Sequence, residues 1–272
     1  MKFHVIGLAL LITTVYGCGK EEEATTAPPT VDRPPASAVT PSPPKVDAKQ
    51  AGTATISGKV LFDGPVPQRK DIPAEAIEAS KDAFCLQHHG DDAIASEEMI
   101  VSKDGAIRNV VVYVKGVSEK WTDGASRKAV QISQRECTYV PHVVGVMTNQ
   151  PVVVTSEDDT THNVHVVARN NRLRKQNFTQ VMGDEDEMAF KRPEVGTAYV
   201  KCDIHSWMRS YICVFSHPFF AVTTDDGSFE LTRLPAGEYE IAAWHETLGT
   251  ESRKITLSDG EAASLEFSFA QK

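Results

Sequence analysis

Four side chains in this sequence could act together on one metal ion. Cys202, His205 and Met208 stand at the spacing C-x2-H-x2-M directly after a short extended run, Thr197 to Lys201, and His162, followed by Asn163, lies forty residues earlier. A thiolate, two imidazoles and a thioether are soft and borderline donors that favour copper, and a trigonal His2Cys set with a long axial methionine is typical of sites that pass single electrons. Zinc would accept the cysteine and the histidines, but a structural zinc site uses more thiolates and has little use for a thioether. No C-x-x-C-H is present for covalent haem attachment. The alternative is four unrelated residues on loops, against which the strand before Cys202 and the His162-Asn163 pair both weigh.

The stretch from Ala129 to Ser216 resembles a blue-copper cupredoxin, most closely the amicyanin type. There the ligand loop has the same short spacing, and an upstream strand reads His-Asn-Val-His, as His162-Asn163-Val164-His165 does here. The resemblance implies a Greek-key β-sandwich that holds one type 1 copper. Cys202 would be its covalent equatorial ligand, His162 the inner imidazole and Met208 the weak axial donor. His205 would be the outer imidazole, near the surface and the port for electrons, with Trp207 and Pro218 at the rim. Asn163 would brace the ligand loop. The implied activity is one-electron transfer with a redox protein, without bond making. Residues three apart on a strand face opposite ways, so His162 and His165 cannot both point at the metal. The motif selects His162 and leaves His165 to an outer face or to packing. By the same resemblance a two-copper purple centre needs a second cysteine four residues from the first, and Ala198 and Ser206 occupy those places.

These side chains need a frame, and from Thr53 onward the chain reads as almost all β. Apolar and β-branched runs recur at Thr55 to Phe62, Asn109 to Val114, His142 to Met147, Pro151 to Thr155 and Val164 to Ala168, and again through Ser210 to Phe215, Glu238 to Trp244 and Ala263 to Phe269. Turn signals such as Asp63-Gly64-Pro65, Asp226-Gly227 and Pro235-Ala236-Gly237 separate them, a spacing that suggests sandwiches or barrels. Residues 73 to 98 are the exception, where Pro73-Ala74-Glu75-Ala76-Ile77-Glu78 permits a short helix or an ordered loop.

Part of this frame resembles the carboxypeptidase regulatory-like domain, a transthyretin-like sandwich. Thr55-Ile56-Ser57-Gly58-Lys59-Val60 with Asp63-Gly64 fits its opening, and Ile107 to Val114 fits its second strand. Ala221 to Phe229 fits the next unit, and Leu234-Pro235-Ala236-Gly237-Glu238-Tyr239 fits the loop that leads to Trp244. About a hundred residues intervene, enough for a second domain. The expected organisation is therefore an all-β chain in which a cupredoxin sandwich, residues 129–216, is inserted in a discontinuous regulatory-like sandwich, residues 53–128 and 217–272.

The ends and the composition bound the setting. Lys2, an apolar stretch from Val5 to Val15 and then Gly17-Cys18 read as a secretory signal over residues 1–18. Cys18 after a small residue resembles the bacterial lipobox, in which the cysteine is lipidated and begins the mature chain; a plain signal peptide with Cys18 as a bystander is the alternative. Residues 19–52 hold Glu, Ala, Thr, Ser and Pro, with seven of the fifteen prolines between residues 28 and 44. Proline keeps such a linker near polyproline II, giving a semi-rigid tether of up to roughly 100 Å at ~3.1 Å per residue. After residue 17 no apolar run approaches the ~20 residues of a membrane-spanning helix, so any membrane attachment is expected to come from the N-terminus. A formal charge of −9 leaves no evident basic face for nucleic acid.

The remaining cysteines are Cys85, Cys137 and Cys213. Export permits disulfides, and Cys85 with Cys137 is the preferred pair because both lie in loop-like sequence, while Cys213 reads as a buried small apolar side chain. His88 and His89 in a polar stretch read as solvated, and His142 and His245 as packed at domain contacts. The basic run Arg169 to Lys175 and the acidic run Asp184 to Glu187 read as solvated connections that could serve a docking partner. No nucleophile and base stand together and no second metal centre is visible, so an enzyme acting on a small substrate is not expected. Three functions remain: an electron carrier at a membrane, a copper storage or delivery protein, and a cell-surface carbohydrate-binding or adhesion module.

Overall fold

The computed structural model describes residues 51–89, 93–117 and 127–271. The signal segment with Cys18, all but the last two residues of the tether, and residues 118–126 at the expected domain boundary lie outside the described residues.

The fold is nearly all β. β1 (Ala54–Asp63) leads to two short helices, α1 (Ala74–Ser80) and α2 (Ala83–His89), and then to β2 (Val111–Val114). The middle of the chain forms β3 (Val130–Arg135), β4 (Thr138–Val140), β5 (Val143–Met147), β6 (Pro151–Ser156), β7 (His162–Val167), β8 (Asn177–Gln180), β9 (Glu185–Ala189), β10 (Tyr199–Lys201) and β11 (Arg209–Phe215). The last part forms β12 (Phe220–Val222), β13 (Ser228–Leu234), β14 (Gly237–His245), β15 (Gly249–Leu257) and β16 (Ala262–Ala270). Among the described residues no helix is long and apolar enough to cross a membrane.

Sheet membership separates the chain into two groups of strands. β13-β1-β16 and β12-β2-β14-β15 draw only on the first and last parts, whereas β5-β11-β10-β7-β8 and β4-β3-β6-β9 draw only on the middle. The strands that flank the middle part, β2 and β12, are antiparallel neighbours with Tyr113 opposite Phe220. The chain can thus leave one sandwich, build another and return beside its point of departure. Each pair of sheets closes on its own core. Ile56, Val60, Phe62, Val112, Ile241 and Phe267 belong to the core of the outer sandwich, and Ile132, Val152, Val154, Val164, Val200 and Ile212 to that of the inner one. The strand period of two accounts for this: in β6, Val152, Val154 and Ser156 turn inward and the residues between them are half-buried.

The two sandwiches meet through aromatic side chains seated on glycines. A Cβ on Gly145 would lie 2.5 Å from the Phe220 ring, and one on Gly196 would lie 2.6 Å from Trp244 Nε1. Gly196 also has φ +76°, so a side chain there would be strained as well as obstructed. Val111, Val143, Cys213 and Phe215 are buried in the same contact. Burial pushes the free Cys213 thiol up to about 12, which leaves it an inert apolar group.

Several sequence expectations change. The acidic run begins a strand: β9 pairs antiparallel with β6, and of its five residues only Met188 is buried. β3, β4 and β8 were likewise not visible as apolar runs. His88 and His89 close helix α2, with His88 exposed as expected and His89 half-buried. Pro218 follows the end of β11 remote from Met208, so it is not on the rim of the site.

Candidate metal centre

Two neighbouring antiparallel strands position the donors. β7 opens with His162, β10 ends at Lys201 opposite His165, and the turn from Cys202 to Met208 carries the chain into β11. That turn is closed by its own backbone: Cys202 N–H donates to Met208 O at 3.2 Å and Met208 N–H to His205 O at 3.0 Å. The Cys202 sulfur accepts the backbone N–H of Asn163 at 3.4 Å and of His205 at 3.3 Å. These bonds join the ligand turn to the strand that carries His162.

His162, Cys202 and His205 are all buried, and their donor atoms lie within 4.8 Å of one another. The two Nδ1 atoms are 2.9 Å apart, and Cys202 Sγ is 3.8 Å from His205 Nδ1. An ion bonded at about 2.0 Å to each imidazole and about 2.3 Å to the thiolate, at angles near 120°, would space its donors by about 3.5 Å (N to N) and about 3.7 Å (N to S). The three donors therefore enclose the space of one ion, with the imidazoles drawn slightly together. Met208 is buried in the same core cluster as Cys202. A buried thiolate and two imidazoles, with a methionine in the same apolar cluster, fit copper better than a hard cation.

Electrostatics favour a thiolate at Cys202 beside a charged imidazole at His162. Burial pushes the Cys202 thiol up, but hydrogen bonds with His162 and His205 and from the Asn163 N–H outweigh it and bring it down to about 6. Burial likewise pulls His162 down, but its bond to Asp158 and its proximity to Cys202 raise it to about 9. Asp158 sits below the usual carboxylate range: burial opposes this, and bonds from His162 and from the N–H groups of Cys137 and Glu136 overcome it.

Asn163 lies across the turn as a clamp. Its Oδ1 accepts the Asp203 N–H at 2.5 Å, and its Nδ2 donates to Asn177 Oδ1 on β8. His165 faces away from the donors, with Nδ1 2.8 Å from Asp203 Oδ2 in a half-exposed pair.

The surface port expected at His205 is absent. His205 is fully buried, because the α1–α2 segment, an excursion between β1 and β2 of the other sandwich, covers it. Asp82 Oδ2 lies 3.3 Å and Cys85 Sγ 3.7 Å from His205 Nε2. Cys85 is bonded to Cys137, 52 residues away, so its sulfur is not free to ligate and the group Asp82, Cys85 and His205 forms no second centre. Asp82 sits below the usual carboxylate range: burial opposes this, and bonds from Thr160 and from the Cys85 N–H overcome it. Trp207 stacks at a tilt on His205, ring centroids 5.2 Å apart, and its indole donates to Cys137 O at 2.8 Å.

Asp82, Asp158 and Thr160 were not singled out from the sequence. Each sits in a polar run, and the one available signal was the spacing of Asp158, four residues before His162.

No protein-family model matches the chain, and no curated protein matches it. Solved structures that resemble it include a purple cupredoxin from Nitrosopumilus maritimus, at 21% identity and a TM-score of 0.28, covering 32% of this chain and 99% of that one. A copper-containing nitrite reductase from Thermus scotoductus is 18% identical with a TM-score of 0.28, covering 38% of this chain and 26% of the reductase. An amicyanin variant in its Cu(I) form is 17% identical with a TM-score of 0.28, covering 38% of this chain and 98% of that one. All three likenesses span a minority of the chain.

Proposed function

We propose that the chain is an exported, lipid-anchored one-electron carrier whose inner sandwich is a cupredoxin domain holding a single type 1 copper through His162, Cys202, His205 and Met208. The observation that carries this reading is the buried convergence of His162, Cys202 and His205 on the space of one ion, beside a methionine three residues from the second histidine. Copper bound there would supply a one-electron couple. The protein's part is to keep the donors in place in both oxidation states: the closed turn and the Asn163 clamp fix Cys202 and His205, and the surrounding apolar core excludes water. With His205 covered, Trp207 offers the electron a way out, since it is half-buried and lines a cleft of about 140 Å³ that also holds Glu97 and Glu98. The redox partner would approach there.

The outer sandwich is read as a carboxypeptidase regulatory-like spacer, with residues 19–52 as the tether and Cys18 as the lipidated residue. In this reading the copper domain hangs from a membrane facing the periplasm or the cell surface.

The test is an optical spectrum of copper-loaded protein beginning near Thr53. One copper per chain and an intense red absorption that vanishes on reduction are expected. Absence of stoichiometric copper, or bound Cu(II) without that band, overturns the carrier reading. Several weakly coloured coppers would favour storage or delivery, and glycan binding without copper would favour a surface-binding module. Labelled fatty acid incorporated by the wild type and lost in C18A would support the anchor.

A further inference from the structure

Each histidine in the site turns its Nδ1 toward the other donors, which leaves Nε2 facing outward. Each outward nitrogen meets a carboxylate. His162 Nε2 is 2.8 Å from Asp158 Oδ2, and His205 Nε2 is 3.3 Å from Asp82 Oδ2. The two carboxylates come from unrelated parts of the chain, one from the loop before β7 and the other from the excursion of the outer sandwich, yet each is fixed in the same way. Asp158 Oδ2 accepts the N–H of Cys137 at 2.9 Å, and its Oδ1 accepts that of Glu136 at 2.7 Å. Asp82 Oδ1 accepts the N–H of Cys85 at 3.0 Å. Cys85 and Cys137 are the two halves of one disulfide. The disulfide therefore spans from the partner of one ligand histidine to the partner of the other.

We infer that Asp82 and Asp158 are positioning residues for the two ligand imidazoles, and that the Cys85–Cys137 disulfide is the brace that holds both carboxylates against the site. This rests on the copper reading above. A carboxylate on the outer N–H of a metal-bound imidazole fixes its tautomer and orientation and raises its basicity, and loss of such a partner typically costs about 10–100-fold in metal affinity. A more basic imidazole favours the more highly charged ion, so the brace stabilises Cu(II) over Cu(I). Packing alone would not require a buried carboxylate at Asp158 and a half-buried one at Asp82, since uncompensated buried charge is costly.

The experiment compares wild type, D82N, D158N and C85S/C137S. Asn keeps the size of Asp, and at position 82 its amide oxygen still accepts the Cys85 N–H, so a purely structural role predicts little change in D82N. D158N gives up one of its two backbone N–H bonds, so its urea midpoint is measured beside its copper affinity. In apo wild type, 15N NMR should find Nε2 protonated on both rings. Chelator competition should show each Asp variant binding Cu(II) about 10–100-fold more weakly, with Cu(I) affinity much less affected; a tenfold differential loss appears as a 59 mV rise in midpoint potential. The double cysteine variant, where it folds, should move the potential in the same direction and speed copper release. A retained blue band with potential and Cu(II) affinity unchanged in both D82N and D158N overturns the inference. If wild type takes up no copper, the carrier reading falls, and the tautomers still decide: Nδ1 protonated and Nε2 bare on both rings refutes the brace.

Discussion

Glu246, in the turn between β14 and β15, bonds through its carboxylate to the imidazole of His142, just before β5 in the other sandwich. The side chains are only 9% exposed for His142 and 5% for Glu246. His142 Nδ1 is also 3.1 Å from the carbonyl of Arg209, the residue after Met208. One buried pair thus joins the two sandwiches and steadies the end of the ligand turn.

Breaking this pair should be costly because it leaves a buried polar partner unsatisfied. E246L is expected to lose about 1–3 kcal/mol in urea unfolding, and H142L/E246L less than the sum of the single changes. Strict additivity would mean that the two side chains are not coupled.

The ligand variants should differ in kind. C202S removes the soft covalent donor, so the red absorption should vanish even if the imidazoles retain copper. M208L should keep the colour while the potential rises, because a weak donor to Cu(II) is lost. H165Q should change neither, since His165 is paired with Asp203 on the other side of β7. A blue band lost in H165Q and kept in H162Q would reassign the ligand.

Acid should destabilise the fold through two buried histidines. Burial pulls His217 down to about 4, and burial together with His142 pulls His245 to about 4. Both stay neutral in the fold while the unfolded chain protonates them near 6.5, so their full contribution is present above that pH. Between about pH 6.5 and 4 the unfolded state binds more protons and stability falls with pH, by up to about 3 kcal/mol per histidine. His162, raised to about 9, changes charge above this window and does not offset the loss. Urea midpoints measured from pH 7.5 to 4.5 should drop, and H217Q should flatten part of the slope. A flat wild-type profile would contradict this.

Removal of residues 129–216, with a short flexible bridge from β2 to β12, should leave a folded outer sandwich, since its strands pair only with one another. Phe220 and Trp244 would lose the glycines on which they sit, so the product is expected to associate through that patch. A well-dispersed NMR spectrum would support the arrangement, whereas an unfolded chain would mean that the two cores form together.

What the sequence disclosed follows burial. Strands such as β1 and β14 place apolar residues on a core and alternate visibly, and the Cys202 turn carries its chemistry in side-chain types that have few other uses together. Buried polar strands do not advertise themselves: β3 hides Gln134, whose amide bonds to Gln180 inside the core. β8 and β9 each bury one residue and read as polar loops. Asp82 and Asp158 were hidden for a different reason, because an acid on an imidazole looks in sequence like any other acid in a hydrophilic run. The cover over His205 was least accessible: the Cys85–Cys137 pair was legible, but nothing in the sequence set the segment of the other sandwich that carries Cys85 over the ligand turn.

β1 is the middle strand of its sheet, antiparallel to β13 on one side and parallel to β16 on the other, with Thr55 to Asp63 paired in step with Ala262 to Ala270. Tension applied between Ala54 and Ala270 drives these two strands along one another, so their ladder bonds carry the load together and do not peel open one at a time. The inserted sandwich is reached through β2 and β12 in the other sheet and lies outside that line of force. The molecule can be tugged at its ends while the distances among His162, Cys202 and His205 stay as they are.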